Sequence, residues 1–350
     1  MPVQPRWTNG QDGGTLLRDR AHVPTQEDQR TSTEQVMADE PSRGKLIAAF
    51  AAVYIIWGST YLAIVYAIET LPPFLMAGGR FLVAGTLLFA WSMAKSERRP
   101  TLREWKAALI IGALLLLGGN GAVTWAEQFV PSGITALLVA GTPCWMVLLE
   151  WLWKGGARPG ARTVVGLLLG FGGIALLVGP SAFTGGGEID PLGALVLMIG
   201  SLAWAVGSIY SKHASVPHGA LLSTGMQMLT GGLLLVVAGS MAGEWSQVDA
   251  ANVSTRSVLA LAYLIIFGAI VGYSAYVWLL RVSTPARVST YAYVNPVVAV
   301  LLGWAIAGEV FTLRMAIAAA VIVAGVALIT LEEHNRSRAA RAAVRTRAAP

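Results

Sequence analysis

The chain has 350 residues, of which 55% are hydrophobic and only 13% charged, with a net charge of +6 and a mean hydropathy of +0.61. A soluble globular chain carries about 25% charged residues, so this composition excludes an ordinary soluble domain and points to a polytopic membrane protein. The single cysteine, Cys144, excludes an intrachain disulfide.

Residues 1–44 are rich in Gln, Thr, Asp, Glu, Arg and Pro and lack apolar periodicity, so a disordered cytoplasmic tail is expected there, with Met37 an alternative start. They also lack the apolar core of a secretory signal. Ten apolar runs follow, near 46–68, 73–93, 106–126, 132–152, 162–179, 191–211, 219–242, 257–280, 287–307 and 313–331. Each approaches the roughly 20 residues that a helix needs to cross a bilayer core. Pro72-Pro73, Pro100, Pro131, Pro159, Pro180, Pro217 and Pro285 help to separate them. The segment 334–350, HNRSRAARAAVRTRAAP, is a basic tail suited to anionic lipid; no nucleic-acid partner is expected.

Basic residues test this assignment. Lys95, Arg98, Arg99, Arg103 and Lys106, then Lys154, Arg158 and Arg162, then Lys212, then Arg281 and Arg287 fall in alternate connections. Only Arg256 and Arg314 fall on the other side, which instead holds Glu69, Glu127, Glu188 and Asp190. The positive-inside bias then puts both tails in the cytoplasm.

A shift of 153 residues lays Gly119 on Gly272, Ala122 on Ala275, Trp125 on Trp278, Pro143 on Pro296, Trp151 on Trp304 and Gly172 on Gly325. A shift of 149 lays Gly58-Ser59-Thr60-Tyr61 on Gly207-Ser208-Ile209-Tyr210. The repeat is five runs long, and an odd number forces the second copy to enter the membrane upside down. The expected fold is therefore an all-α integral membrane protein of ten transmembrane helices in two inverted five-helix repeats, over 45–180 and 181–333. Inverted repeats mark secondary transporters, with the substrate site near the midplane between halves.

The motifs WGSTY (57–61), GGRFLVAGTLL (78–88), YVNPVVAVLLGWAIAGE (293–309) and IAAAVIVAGVALI (317–329) together resemble the EamA-type members of the drug/metabolite transporter superfamily over about 46–332. The resemblance implies a multi-pass bacterial inner-membrane exporter of amino acids, metabolites or drugs, with a central cavity and alternating access. One departure is that the position matching Glu309 is Gly156.

Polar and aromatic residues inside apolar runs are the candidate substrate-binding set. Trp57, Ser59 and Thr60 interrupt the first run, and Trp204 and Ser208 echo them in the sixth. Either close helix packing or a cavity wall accounts for them. Asn120 and Trp125 lie in the third run, Tyr273, Tyr276 and Trp278 in the eighth, and Asn295 precedes Pro296 in the ninth. Proline at 296, like Pro143 in the fourth run, frees a backbone carbonyl one turn back. Arg80 is the one basic residue well inside a run, a functional candidate by default; facing a cavity, its fork would suit a carboxylate. Glu150 pairs with Lys154 at a surface, and Glu127 and Glu309 are expected to be wet helix ends.

All four histidines (His22, His213, His218 and His334) fall in tails or one connection, which favours facilitated export or exchange and leaves proton coupling open. No GxxxxGK[ST], HExxH or GxSxG occurs, so an ATP-driven pump and familiar hydrolases are disfavoured. No metal or cofactor is expected. The expected partners are a small-molecule substrate and the lipid bilayer, with a homodimer possible. The rival class is a membrane enzyme acting on lipid.

Overall fold

The computed structural model describes residues 42–95, 98–152, 160–178, 190–217, 219–283, 288 and 290–348. The amino-terminal tail, the 180–189 connection and Lys154 lie outside them, as does the Glu150 side chain. Every regular element among the described residues is helical. The first three helices are α1 (Arg43–Ile68), α2 (Pro73–Ala94) and α3 (Leu102–Ala126). The fourth apolar run gives α4 (Ser132–Val139) and α5 (Thr142–Leu152), and α6 follows (Ala161–Val178). Then come α7 (Pro191–His213), α8 (Ala220–Met241), α9 (Thr255–Val282), α10 (Tyr291–Ala307) and α11 (Leu313–Ala348).

Seven helical stretches are long and apolar enough to cross a membrane: α1, α2, α3, Ser132–Leu149, α7, α8 and α9. Shorter apolar stretches are Ala161–Leu177, Val294–Ala307 and Leu313–Ile329. Beyond this last stretch α11 runs on to Ala348, into what the sequence reading treats as a separate tail. Ala, Arg and Glu are good helix formers, and no Gly or Pro intervenes before Pro350.

Two glycine-lined pairs frame the molecule. On α2, a Cβ at Gly78 would fall 2.9 Å from the Gly232 carbonyl oxygen of α8, and one at Gly85 3.0 Å from that of Gly225. Between α6 and α11, a Cβ at Gly166 would fall 2.6 Å from the Gly325 carbonyl oxygen. Small residues let backbones approach this closely where no water drives helices together. Inside the frame, α1 packs against α9 and α10, while α7 packs against α3, α4 and α5. The first helix of each half thus packs with the third and fourth runs of the other half.

The break in the fourth run comes just before the expected Thr142-Pro143, at Ala140-Gly141, where the Thr142 hydroxyl donates to the Val139 carbonyl at 2.6 Å. Pro296 instead sits inside a continuous α10.

Two Ala-Gly-Glu triplets, 242–244 and 307–309, do the same job. Gly243 (φ 74°) and Gly308 (φ 69°) terminate α8 and α10 in the left-handed conformation that glycine adopts without strain. The next residue then turns its carboxylate onto the open N-terminus of another helix. Glu244 accepts from the backbone N–H of Phe74 (3.1 Å) and Leu75 (2.8 Å). Glu309 accepts from the Ser132 N–H (2.8 Å), the Ser132 hydroxyl (2.6 Å) and the Gly133 N–H (3.1 Å). Glu309 is therefore a helix cap between α10 and α4 and not the solvated end expected of it. Glu127 departs further from that expectation: it is only 6% exposed, and neither carboxylate oxygen has a hydrogen-bond partner among the described residues.

Candidate functional site

Three π-helical segments lie within the helices that meet at the centre: Ala52–Ile56 in α1, Gly112–Gly121 in α3 and Leu264–Tyr273 in α9. Such segments are rare and favour functional sites, because the wider turn displaces side chains from the regular helical face. Trp57 follows the first, Asn120 lies in the second, and Gly268 and Tyr273 lie in the third.

These positions line a central cavity together with residues of α2, α4, α7 and α10. It leaves about 80 Å³ for the centres of water-sized molecules, room for several waters. Its aromatic wall starts from Trp57 and Trp204, whose rings meet edge to face with centroids 5.5 Å apart. Tyr291 meets Trp57 edge to face at 5.6 Å. The indole N–H of Trp57 donates to the Gly268 carbonyl at 3.3 Å and that of Trp204 to the Tyr276 hydroxyl at 3.0 Å.

The indoles fit because the helices opposite lack side chains there. A Cβ at Gly272 would fall 2.6 Å from Trp57 Nε1, and one at Gly119 would fall 2.6 Å from Trp204 Cε3. Gly119 and Gly272 are the residues that the 153-residue shift superposes. Each half therefore lends a tryptophan to the other's glycine.

The polar wall is Arg80 with Asn120. Arg80 is 3% exposed, its Nη2 donates to Asn120 Oδ1 at 2.7 Å, and its guanidinium carbon lies 4.5 Å from the Phe81 ring centre. Its Nε has no hydrogen-bond partner among the described residues. Arg80 is the one charged residue among those lining this cavity.

A second cavity, about 430 Å³, is lined in part by Lys212 and Arg281, with no Asp or Glu among the described residues that line it. A hydrogen bond links one lining residue of each. Tyr273 lines the first cavity and Gln227 the second, and the Tyr273 hydroxyl donates to Gln227 Oε1 at 2.9 Å. Gln227 Nε2 in turn donates to the Ser223 hydroxyl at 3.0 Å.

Of the residues singled out from sequence, Trp57, Thr60, Arg80, Asn120, Trp204, Tyr273 and Asn295 line the central cavity. Thr60 spends its hydroxyl on the Trp57 carbonyl at 2.7 Å. Asn295, its amide oriented by the surrounding acceptors, donates to the carbonyls of Tyr54 (2.9 Å) and Tyr291 (3.2 Å), tying α10 to α1. The other five lie elsewhere, Tyr276 fully buried. Ser59 bonds the Ile56 carbonyl and the Tyr263 hydroxyl, and Ser208 bonds the Trp204 carbonyl and the Tyr276 hydroxyl. Trp125 and Trp278 pack against the apolar core, Trp125 with its ring 5.2 Å from Phe129. Tyr291, Phe81 and Gln227 join the site without having been singled out as binding residues. Tyr291 and Phe81 read as ordinary apolar-run aromatics, but Gln227 carries a signal, being the residue aligned near Arg80 in the second half.

The sequence profile of the EamA-like transporter family matches residues 44–179 and again residues 191–331. The chain belongs to this family, and its long apolar helices make it a multi-pass membrane protein. It is 41% identical over 290 residues, 83% of this chain and 92% of the relative, to the uncharacterized inner membrane transporter YedA of Escherichia coli K12. It is 25% identical over 302 residues, 86% of this chain and 95% of the relative, to the uncharacterized transporter YvbV of Bacillus subtilis. A solved crystal structure shares the fold with a TM-score of 0.61 at 22% identity, covering 84% of this chain and 99% of that one.

Proposed function

We propose that the protein is a secondary transporter of the bacterial inner membrane that exports small organic metabolites by alternating access. In this reading the seven long helical stretches and three shorter apolar ones make ten crossings, in two inverted five-helix repeats. Both ends of the ten-crossing body then face the cytoplasm, as the distribution of basic residues favours. The relatives' names support membrane transport as the class of activity.

One observation carries the reading: the reciprocal seating of Trp57 on Gly272 and Trp204 on Gly119 around a central cavity. A two-fold related pair of halves offers two equivalent ways to open, which alternating access requires. The cavity wall supplies flat apolar faces, one guanidinium and two amides, the mixture of apolar surface and few polar anchors typical of small-molecule sites.

The test is counterflow in proteoliposomes with labelled amino acids, carboxylates and aromatic cations, against protein-free vesicles. Exchange of at least one class by wild type, weakened in Trp57→Ala and Trp204→Ala proteins that remain folded, supports the reading. No exchange by a folded wild type, combined with chemical change in the vesicle lipids, favours a membrane enzyme instead.

A further inference from the structure

Arg80 is the one charged residue among the described residues lining the central cavity, which has no Asp or Glu among them. Glu127 lies within electrostatic reach of Arg80, but both its oxygens are buried and it does not line the cavity. An ammonium group placed beside Arg80 would meet a guanidinium and no carboxylate, at a close like-charge contact in a medium that screens poorly. A carboxylate placed there would meet a delocalised cation already oriented by Asn120, with indole and phenol rings for its apolar body.

We propose that the central cavity is a binding site for organic monoanions with a flat apolar body, held by Arg80. This deepens the transporter reading and rests on it. Asn120 is a positioning residue for Arg80, since its Oδ1 holds one end of the fork and leaves Nε unpartnered.

Three ligands that share a phenyl body separate the charge classes: phenylacetate (anion), phenylalanine (zwitterion) and phenethylamine (cation). Binding to the purified full chain is read by calorimetry, and exchange by counterflow above the protein-free vesicle background. The expected order is phenylacetate tightest, phenylalanine about tenfold weaker or worse, and phenethylamine without measurable binding. Arg80→Gln lowers phenylacetate affinity at least about tenfold. Because Arg80→Gln also risks the fold, Asn120→Asp is the second variant. It places a carboxylate against the guanidinium as an internal competitor, and is expected to abolish phenylacetate binding without lowering the unfolding temperature. Tighter binding of phenylalanine or phenethylamine, no binding of any of the three, or retained phenylacetate binding in folded Asn120→Asp protein overturns the anion assignment. The transporter reading survives these outcomes if any solute exchanges. Phenylacetate binding without exchange of any solute leaves the anion site standing and overturns transport.

Discussion

Trp57 and Trp204 meet edge to face with ring centroids 5.5 Å apart, each resting on a glycine contributed by the opposite half of the chain. The two glycines occupy equivalent positions in the repeat, so the contact is made twice with the halves exchanging roles. Close aromatic packing of this kind, in a bilayer protein where little hydrophobic force acts between helices, depends on shape more than on burial.

The paired contacts predict paired costs. Gly119→Ala and Gly272→Ala each press a methyl group into an indole ring at a distance that real Cβ atoms do not tolerate. Overpacking of this sort costs about 1–3 kcal/mol. Both variants are expected to unfold at lower temperature in detergent, by similar amounts. Gly79→Ala, where a Cβ meets nothing within 4 Å, is the control expected to leave the unfolding temperature unchanged or raise it. A loss at only one of the two glycines would argue against equivalent roles.

The two Ala-Gly-Glu triplets predict a second matched pair. Glu309→Gln and Glu244→Gln keep an acceptor oxygen but lose the charge that holds the helix N-termini of α4 and α2. A hydrogen bond to a charged group is worth about 1.5–3 kcal/mol, and each variant is expected to lose an amount near the lower end of that range. Chemical denaturation of the two variants beside wild type reads this directly, and unchanged stability in both would remove the carboxylates from the list of forces holding these helix ends.

Glu127 predicts a pH dependence of opposite sense to an ordinary salt-bridged acid. Burial holds its carboxyl well above the usual carboxylate range, the Glu309 charge adds to this, and Arg80 opposes it. The unfolded chain releases the same proton near pH 4.3, so above that value the folded state binds more protons than the unfolded one. Stability then falls as pH rises from the unfolded pKa toward the folded one. The Glu127→Gln variant has no proton to lose and is expected to be more stable than wild type at neutral pH, with the gap closing on acidification. Equal stability of the two proteins across this range would mean that the carboxyl is paired or hydrated after all.

Membrane class, helix positions and the duplicated plan were legible in the sequence because they rest on long-range averages: apolar run length, alternation of basic connections, and a fixed shift that aligns Trp, Gly and Pro. Arg80, Asn120 and Trp57 were legible for a simpler reason, since each interrupts an apolar run at a cost that needs an explanation. Rotation about the helix axis was not. Trp125 stands one residue from Thr124 on α3, a turn of roughly 100°, and that suffices to send it into the packed core while Asn120 faces the cavity. The π-helical segments have no local signature, and they set which face of α1, α3 and α9 looks inward. Glu127 and Glu309 show the same limit from the other side. Both end apolar runs and read alike, but tertiary packing buries one with no hydrogen-bond partner among the described residues and gives the other a helix to cap.

The measurement that tests the central claim most directly is two-sided accessibility of the cavity. Ser201 lines it and is small, so Ser201→Cys in a Cys144→Ala background places a single thiol inside. A membrane-impermeant maleimide is applied to right-side-out and to inside-out vesicles, with and without a transported solute. Alternating access predicts labelling from each side, with the solute gradient shifting the balance between them. Labelling confined to one side under every gradient would contradict the account, because a cavity that never changes its exposure cannot carry a solute across.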